Sequence, residues 1–334
     1  MLMQSHDSTS KKACDHYHCY WTSPVAAVAP GLLKEFQWHK KLHDVSDHPL
    51  LDPRGPSLWM GTSGSGTQCH YDVANNIIIQ LHGSKRIRCY PPIVGVHNLH
   101  VFPDAHPRAR KSQVDFDSND GMKRFPHFVN VPNPTFDVIL WPGDALKIPA
   151  FWFHHVENGS IPCANEEDER GDDAPSVSLN SFALSKPMMV AQQIFQKASQ
   201  PLGIDASNVR LAPSILKALG TTLIHELNVV DSGSEERFIR QFLLEARYHP
   251  LGLDYGNENR NAGSGKKHIQ QSLNNEQQKA VKDCVEGILP DFRLLMEGDD
   301  KGIALLVGLH LLELWAVELV GAQMVARTWD KALS

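Results

Sequence analysis

The chain has 334 residues, enough for one large or two modest domains, and 42% of them are hydrophobic, which supplies material for a core. Its formal net charge of -6 excludes a global attraction to nucleic acid or to an anionic membrane and leaves only local basic patches to consider. Six cysteines, at 14, 19, 69, 89, 163 and 284, form no Cys-x-x-Cys pair, so neither a disulfide framework nor a zinc knuckle is expected, and reduced thiols fit an intracellular protein of the cytoplasm or nucleus.

Residues 1–13 are polar, carry no apolar secretory stretch, and are expected to be disordered. A barrel unit is expected over 14–186. It opens on the aromatic cluster His16-Tyr17-His18-Cys19-Tyr20-Trp21, whose histidines, together with His39, fit no closed zinc spacing. A short helix is expected over 31–44, and strands from 57 to about 93. Within those strands lies His70-Tyr71-Asp72. Successive side chains of a strand point to opposite faces, so His70 and Asp72 project to one side and Tyr71 to the other.

A long connection over 94–136 holds His97, His100, His106 and the basic cluster Arg108, Arg110, Lys111. Loops often carry function, so a substrate-facing role for that cluster stands beside its reading as a solvated face. Further on, Ile148-Pro149-Ala150-Phe151-Trp152-Phe153-His154-His155-Val156 offers two candidate imidazoles. Two histidines and one carboxylate with open coordination positions make the facial triad of non-haem Fe(II) oxygenases. The acidic run with Glu166, Glu167, Asp168, Glu169, Asp172 and Asp173 reads as a disordered surface insertion. Residues 176–184 then alternate as a half-buried strand that closes the barrel.

From Pro187 the apolar period turns helical. Helices are expected over 188–200, 212–227 and 235–248, inside a dimerisation or substrate region at 187–255. A linker follows at 256–275, and then C-terminal helices within 276–334, at about 276–297 and 301–330. Glu313 and Glu318 interrupt the apolar run after Ile303, which favours a core or dimer-interface helix over a membrane span.

Several motifs, in this order, resemble the metal-binding half of a JmjC (cupin-like) hydroxylase. They are Trp59-Met60-Gly61 through His70-Tyr71-Asp72, the turn Gly83-Ser84-Lys85-Arg86, Pro91-Pro92, Pro142-Gly143-Asp144, and Ile148-Pro149 ahead of His154. The resemblance covers about residues 56–187. It implies a mainly β fold with helices: a double-stranded β-helix, or jelly-roll, followed by a C-terminal helical region. It implies Fe(II) held by His70, Asp72 and His154, with His155 a neighbour. It also implies 2-oxoglutarate held at its distal carboxylate by Lys85 and Thr67, with Tyr20, Asn76 and Asn180 lining the pocket. A buried dicarboxylate needs a compensating cation and hydroxyl donors, which Lys85 and Thr67 would supply.

The activity so implied is that of an oxidoreductase, a dioxygenase that couples decarboxylation of 2-oxoglutarate to hydroxylation of a substrate C–H. Among branches, the sequence is most similar to the tRNA wybutosine hydroxylases, which modify a hypermodified guanosine of phenylalanine tRNA. Pro142-Gly143-Asp144 with His154-His155 also fits the asparaginyl and arginyl protein hydroxylases, and the mild acidity slightly disfavours tRNA. An inactive JmjC-like binding module is the third alternative, because only 69 residues precede His70, fewer than such hydroxylases usually carry. The segment Met122-Lys123-Arg124-Phe125-Pro126-His127-Phe128 is similar to the insert that shapes the family's substrate entrance. The partners expected are a tRNA or protein substrate and O2, no membrane, and a second copy in a homodimer built on the C-terminal helices.

Overall fold

The computed structural model describes residues 19–37, 55–116, 124–159, 174–199, 210–252, 272–297 and 301–334. The expected disorder of 1–13, His16, His18 and His39, most of the acidic run, and most of the 256–275 linker lie outside the described residues.

Two antiparallel sheets face one another. The first holds five strands in the order β1 (Tyr20–Pro24), β2 (Ser57–Gly61), β9 (Ser176–Ala183), β4 (Asn75–His82), β7 (Ala145–Ile148). The second holds four: β3 (Gly66–Tyr71), β8 (Phe153–Asn158), β5 (Lys85–Tyr90), β6 (Phe136–Leu140). Strands from β2 to β9 are shared between the two sheets in the order of a jelly-roll, four in each, and β1 adds a fifth to the first. Cross-strand partners share a face, and the inward face carries the apolar cluster Ile78, Ile87, Cys89, Leu140, Ile148 and Val156. The barrel interior is therefore a packed core at one level and open to polar side chains at others.

The helices begin with the short α1 (Val25–Val28) and α2 (Pro92–Asn98). Residues 30–37 form a 3-10 turn where a helix over 31–44 was expected. After the barrel come α3 (Lys186–Ala198), α4 (Ala212–Glu226) and α5 (Glu235–Ile239), which runs on as a π-helix over Arg240–Tyr248. They are followed by α6 (Asn275–Met296), α7 (Lys301–Val320) and α8 (Val325–Ala332). The single helix expected over 301–330 is broken at Gly321, whose φ 77 and ψ 154 are open to glycine and end the helical path. α7 is long and apolar enough to cross a membrane, but 72% of its apolar window is buried among the other elements, as a core helix would be.

Two glycines dock this helical layer onto the barrel. A Cβ on Gly95 of α2 would sit 1.8 Å from the Phe153 ring of β8, and one on Gly302 of α7 would sit 2.2 Å from the Ile93 backbone nitrogen. Helix α2 is thus clamped between the strand that carries His154 and the central C-terminal helix. Ser185 accepts the Met188 N–H to cap α3 and donates to the Val73 carbonyl, both at 3.1 Å. One hydroxyl both starts the helix and fixes the loop after Asp72.

Candidate metal centre and cosubstrate pocket

The metal candidates come together because of register. His70 lies directly opposite His154 across the β3–β8 pair, and their ring centroids are 4.2 Å apart. Asp72 follows β3, and its Oδ2 is 3.7 Å from His154 Nε2. Ligand atoms of all three lie within 4.8 Å of one another, which is the group of metal-ligating type found among the described residues.

The loop bearing Asp72 is held by the turn that precedes β8. The Phe151 N–H donates to the Asp72 carbonyl at 2.6 Å, and the Ala150 N–H donates to Asn75 Oδ1 at 3.0 Å. Phe151 holds φ 65 to do so, a left-handed conformation that costs an aromatic residue about 1 kcal/mol. Strain of this kind persists where surrounding contacts over-determine it.

Both imidazoles are oriented alike. His70 Nδ1 is 2.9 Å from the Gln68 carbonyl and His154 Nδ1 is 3.1 Å from the Trp152 carbonyl. A carbonyl only accepts, so each Nδ1 carries the proton and each Nε2 keeps a lone pair for a ligand. Burial, reinforced by the neighbouring His154, holds His70 well below the ordinary histidine range. Burial also lowers His154, outweighing the opposing pull of the Asp72 carboxylate. Neutral imidazoles are the form that binds a metal. His155 does not join them. It points out of the barrel, stacks on Phe116 at a centroid distance of 5.0 Å and lies 3.3 Å from Glu157 Oε1.

Of the five candidate cosubstrate residues, Lys85, Thr67, Asn76 and Asn180 lie on the inward face of their strands, while Tyr20 sits partly exposed on the edge strand β1. Lys85 pairs with Asn158 and Thr67 with Val156, two positions apart on β8, so both project to one face. The Thr67 hydroxyl donates to the Tyr20 phenol oxygen at 2.8 Å, which joins β1 to β3. Lys85 is 3% exposed and donates to Ser178 Oγ at 2.8 Å. The Ser178 hydroxyl donates to Asn180 Oδ1 at 3.3 Å, and Asn180 Nδ2 donates to Asn76 Oδ1 at 3.4 Å.

Lys85 has no ion pair among the described residues, and burial pulls its ammonium down to about 8. Around it, Trp59 Nε1, Gln80 Oε1 and Asn158 Oδ1 are buried without a hydrogen-bond partner. Trp59 and Gln80 are the cross-strand neighbours of Ser178, and Asn158 is that of Lys85. The Lys85 ammonium, buried without a counter-charge, and the unpartnered Trp59 indole N–H are donors that suit an anion, whereas the Gln80 and Asn158 oxygens only accept and would take a donor. The donor set therefore suits both groups implied by the sequence, a divalent transition metal and a dicarboxylate.

Ser178 was absent from the sequence expectations, although Ser176, Ser178 and Asn180 alternate on β9 and so share one face. The basic cluster takes a place the sequence could not specify. The Tyr71 N–H donates to the Arg110 carbonyl at 3.2 Å and the Ser112 N–H to the Cys69 carbonyl at 2.7 Å, so this segment runs along the free edge of β3. His70 and Lys111 form an antiparallel bridge there.

Comparison with known proteins agrees with this geometry. A family model described as a cupin-like domain matches residues 2–182, more than half of the 334-residue chain. The chain is 41% identical over 88 residues to tRNA wybutosine-synthesizing protein 5 of Danio rerio, covering 26% of this chain and 24% of that protein. It is 27% identical over 147 residues to JmjC domain-containing protein F of Dictyostelium discoideum, covering 39% and 30%. The X-ray structure of E. coli ycfD aligns over 94% of this chain and 56% of that one, at 12% identity and a TM-score of 0.31. The matches span about a quarter to a third of the length of these curated relatives. With its matched domain, its two antiparallel sheets and its His-x-Asp and distal His on neighbouring strands, the chain belongs to the cupin-like family of JmjC type.

Proposed function

We propose that the protein is an Fe(II)- and 2-oxoglutarate-dependent oxygenase that hydroxylates a C–H bond of a nucleoside in tRNA, of the wybutosine type. The observation that carries the oxygenase reading is Lys85, buried without a counter-charge on the same barrel interior as the His70, Asp72 and His154 triad. In this reading the two Nε2 atoms and the Asp72 carboxylate hold the iron, which supplies oxygen activation when bound. Lys85 and Ser178, with Thr67 and Tyr20, grip the distal carboxylate of 2-oxoglutarate, and the carbonyls of Gln68 and Trp152 keep the imidazoles turned inward.

The substrate class rests on the similarity to tRNA wybutosine-synthesizing protein 5 over 88 residues. It is consistent with a basic segment that lies against the metal-bearing strand, since phosphate contacts are made by Lys and Arg.

The test is succinate release from 2-oxoglutarate by the purified chain with Fe(II) and ascorbate. It compares no substrate, bulk tRNA and a protein extract, with Asp72→Ala as control. Stimulation by tRNA supports the proposal. Stimulation by protein alone would turn the reading to a side-chain hydroxylase, and no Asp72-dependent succinate would turn it to a silent binding module.

A further inference from the structure

Tyr71 points away from the metal, and behind it lies a cavity of about 210 Å³. Its walls are Tyr71 and Phe151 from the barrel, Ala191 and Phe195 from α3, and Leu306 from α7. The basic side chains that reach it are Arg110 and His310, and Gln192 and the Tyr71 phenol are its other polar groups. An apolar cavity of about 150 Å³ is already large enough to take up benzene.

We propose that this cavity binds a small monocarboxylate with a compact alkyl or aryl body. The walls set the body of the ligand: apolar surface surrounds the volume on three elements, and burying an apolar group there is favourable by about 25 cal/mol per Å². The rim sets its head group. His310 Nδ1 is already engaged by Asp104 Oδ2 at 2.7 Å, and the neighbouring Arg247 is engaged by Glu313 at 3.2 Å. Arg110 is different: it is exposed and has no ion pair among the described residues. Its backbone holds φ 68 and is tied by the Tyr71 N–H donating to its carbonyl, so the edge of β3 sets where this side chain leaves the backbone, and it lines the cavity. One available cation beside an apolar chamber matches one carboxylate on an apolar body. A dicarboxylate would leave its second charge unpaired against the walls, which separates this ligand from 2-oxoglutarate.

The test is calorimetric titration of the metal-free protein with octanoate, phenylacetate and octan-1-ol. Octanoate or phenylacetate should bind once per chain, and whichever binds more tightly identifies the body as alkyl or aryl. Replacing Arg110 by Gln should weaken the carboxylate by about tenfold, the worth of a charge-assisted hydrogen bond, and leave octan-1-ol unchanged. Filling the chamber by Ala191→Trp should abolish binding of all three. No carboxylate binding, or binding that survives Ala191→Trp in a folded protein, or an Arg110→Gln loss shared by octan-1-ol, would overturn the proposal. If Ala191→Trp does not fold, the Arg110→Gln comparison decides alone. Because the titration uses no metal and no triad residue, its failure leaves the oxygenase reading standing, and failure of the succinate assay leaves this one standing.

Discussion

Lys85 should make 2-oxoglutarate binding fall with pH in a window where free carboxylates no longer titrate. Burial brings its ammonium down to about 8. If only the protonated amine holds the distal carboxylate, roughly nine-tenths of the protein is competent at about pH 7 and roughly one-tenth at about pH 9, a tenfold loss of affinity. Lys85→Met should bind roughly tenfold or more weakly at about pH 7 and show no slope, since a charge-assisted hydrogen bond is worth about 1.5–3 kcal/mol. The ligand-free protein should show the opposite sign in stability. The folded amine has the depressed pKa, so the folded chain holds fewer protons than the unfolded chain above about pH 8. Its stabilising contribution is complete above the unfolded value of 10.5 and is lost as pH falls through about 8. The difference between wild type and Lys85→Met should grow by roughly 3 kcal/mol across that window. Calorimetric titration of the Mn(II)-loaded protein reads the first effect and urea unfolding reads the second. Affinity that stays flat between about pH 7 and 9, or a Lys85→Met variant that binds like wild type, would refute the assignment of Lys85 as the carboxylate anchor.

The remaining predictions test the frame around that pocket. His154→Ala should abolish metal-dependent turnover while His155→Ala, whose ring stacks on Phe116 outside the barrel, should retain most of it. Equal losses of Mn(II) binding in the two variants would contradict the geometry. Glu313→Ala leaves the buried Arg247 guanidinium and the Asp104 N–H without the carboxyl group they share, and should cost about 3–5 kcal/mol in urea unfolding at neutral pH. A loss below about 1 kcal/mol would mean that Asp104 alone satisfies the guanidinium. Gly95→Val must displace the Phe153 ring, which a Cβ would meet at 1.8 Å, and should lower stability by about 1–3 kcal/mol, seen as a drop in Tm.

The barrel and the grouping of His70, Asp72 and His154 were legible because a strand has a period of two. His70 and Asp72 share a face in any register, and the ordered turns between them and His154 limit how the strands can return. The register also explains why His154 and not His155 faces inward: His154 lies opposite His70, and its neighbour must point away. Lys85 was legible through family resemblance alone, since nothing local distinguishes a buried lysine from a solvated one at a hairpin end. The pairing of Asp104, Arg247 and Glu313 was not legible at all. Glu313 lies 66 positions from Arg247 and 209 from Asp104, and the sequence shows it only as a charge interrupting an apolar helix. Burial raises its carboxyl well above the usual range, with Asp104 adding to the rise and Arg247 opposing it.

That buried cluster gives the helical region a role beyond covering the barrel. β3 is an edge strand of its sheet, and an edge leaves backbone groups unpaired unless something covers them. Here the connection between β5 and β6 covers it at Cys69 and Tyr71, the residues on either side of His70. The same connection is tied to the helices, because the Asp104 N–H donates to Glu313 Oε2 at 2.6 Å and Gln113 Nε2 donates to the Arg247 carbonyl at 2.8 Å. The strand bearing His70 is therefore held by β8 on one edge and, through the connection, by α7 and the π-helical turn on the other. A substrate that displaced the basic segment at Arg110 and Lys111 would have to work against those bonds. Any displacement of the segment at Arg110 and Lys111 would thus be felt by the backbone on both sides of His70.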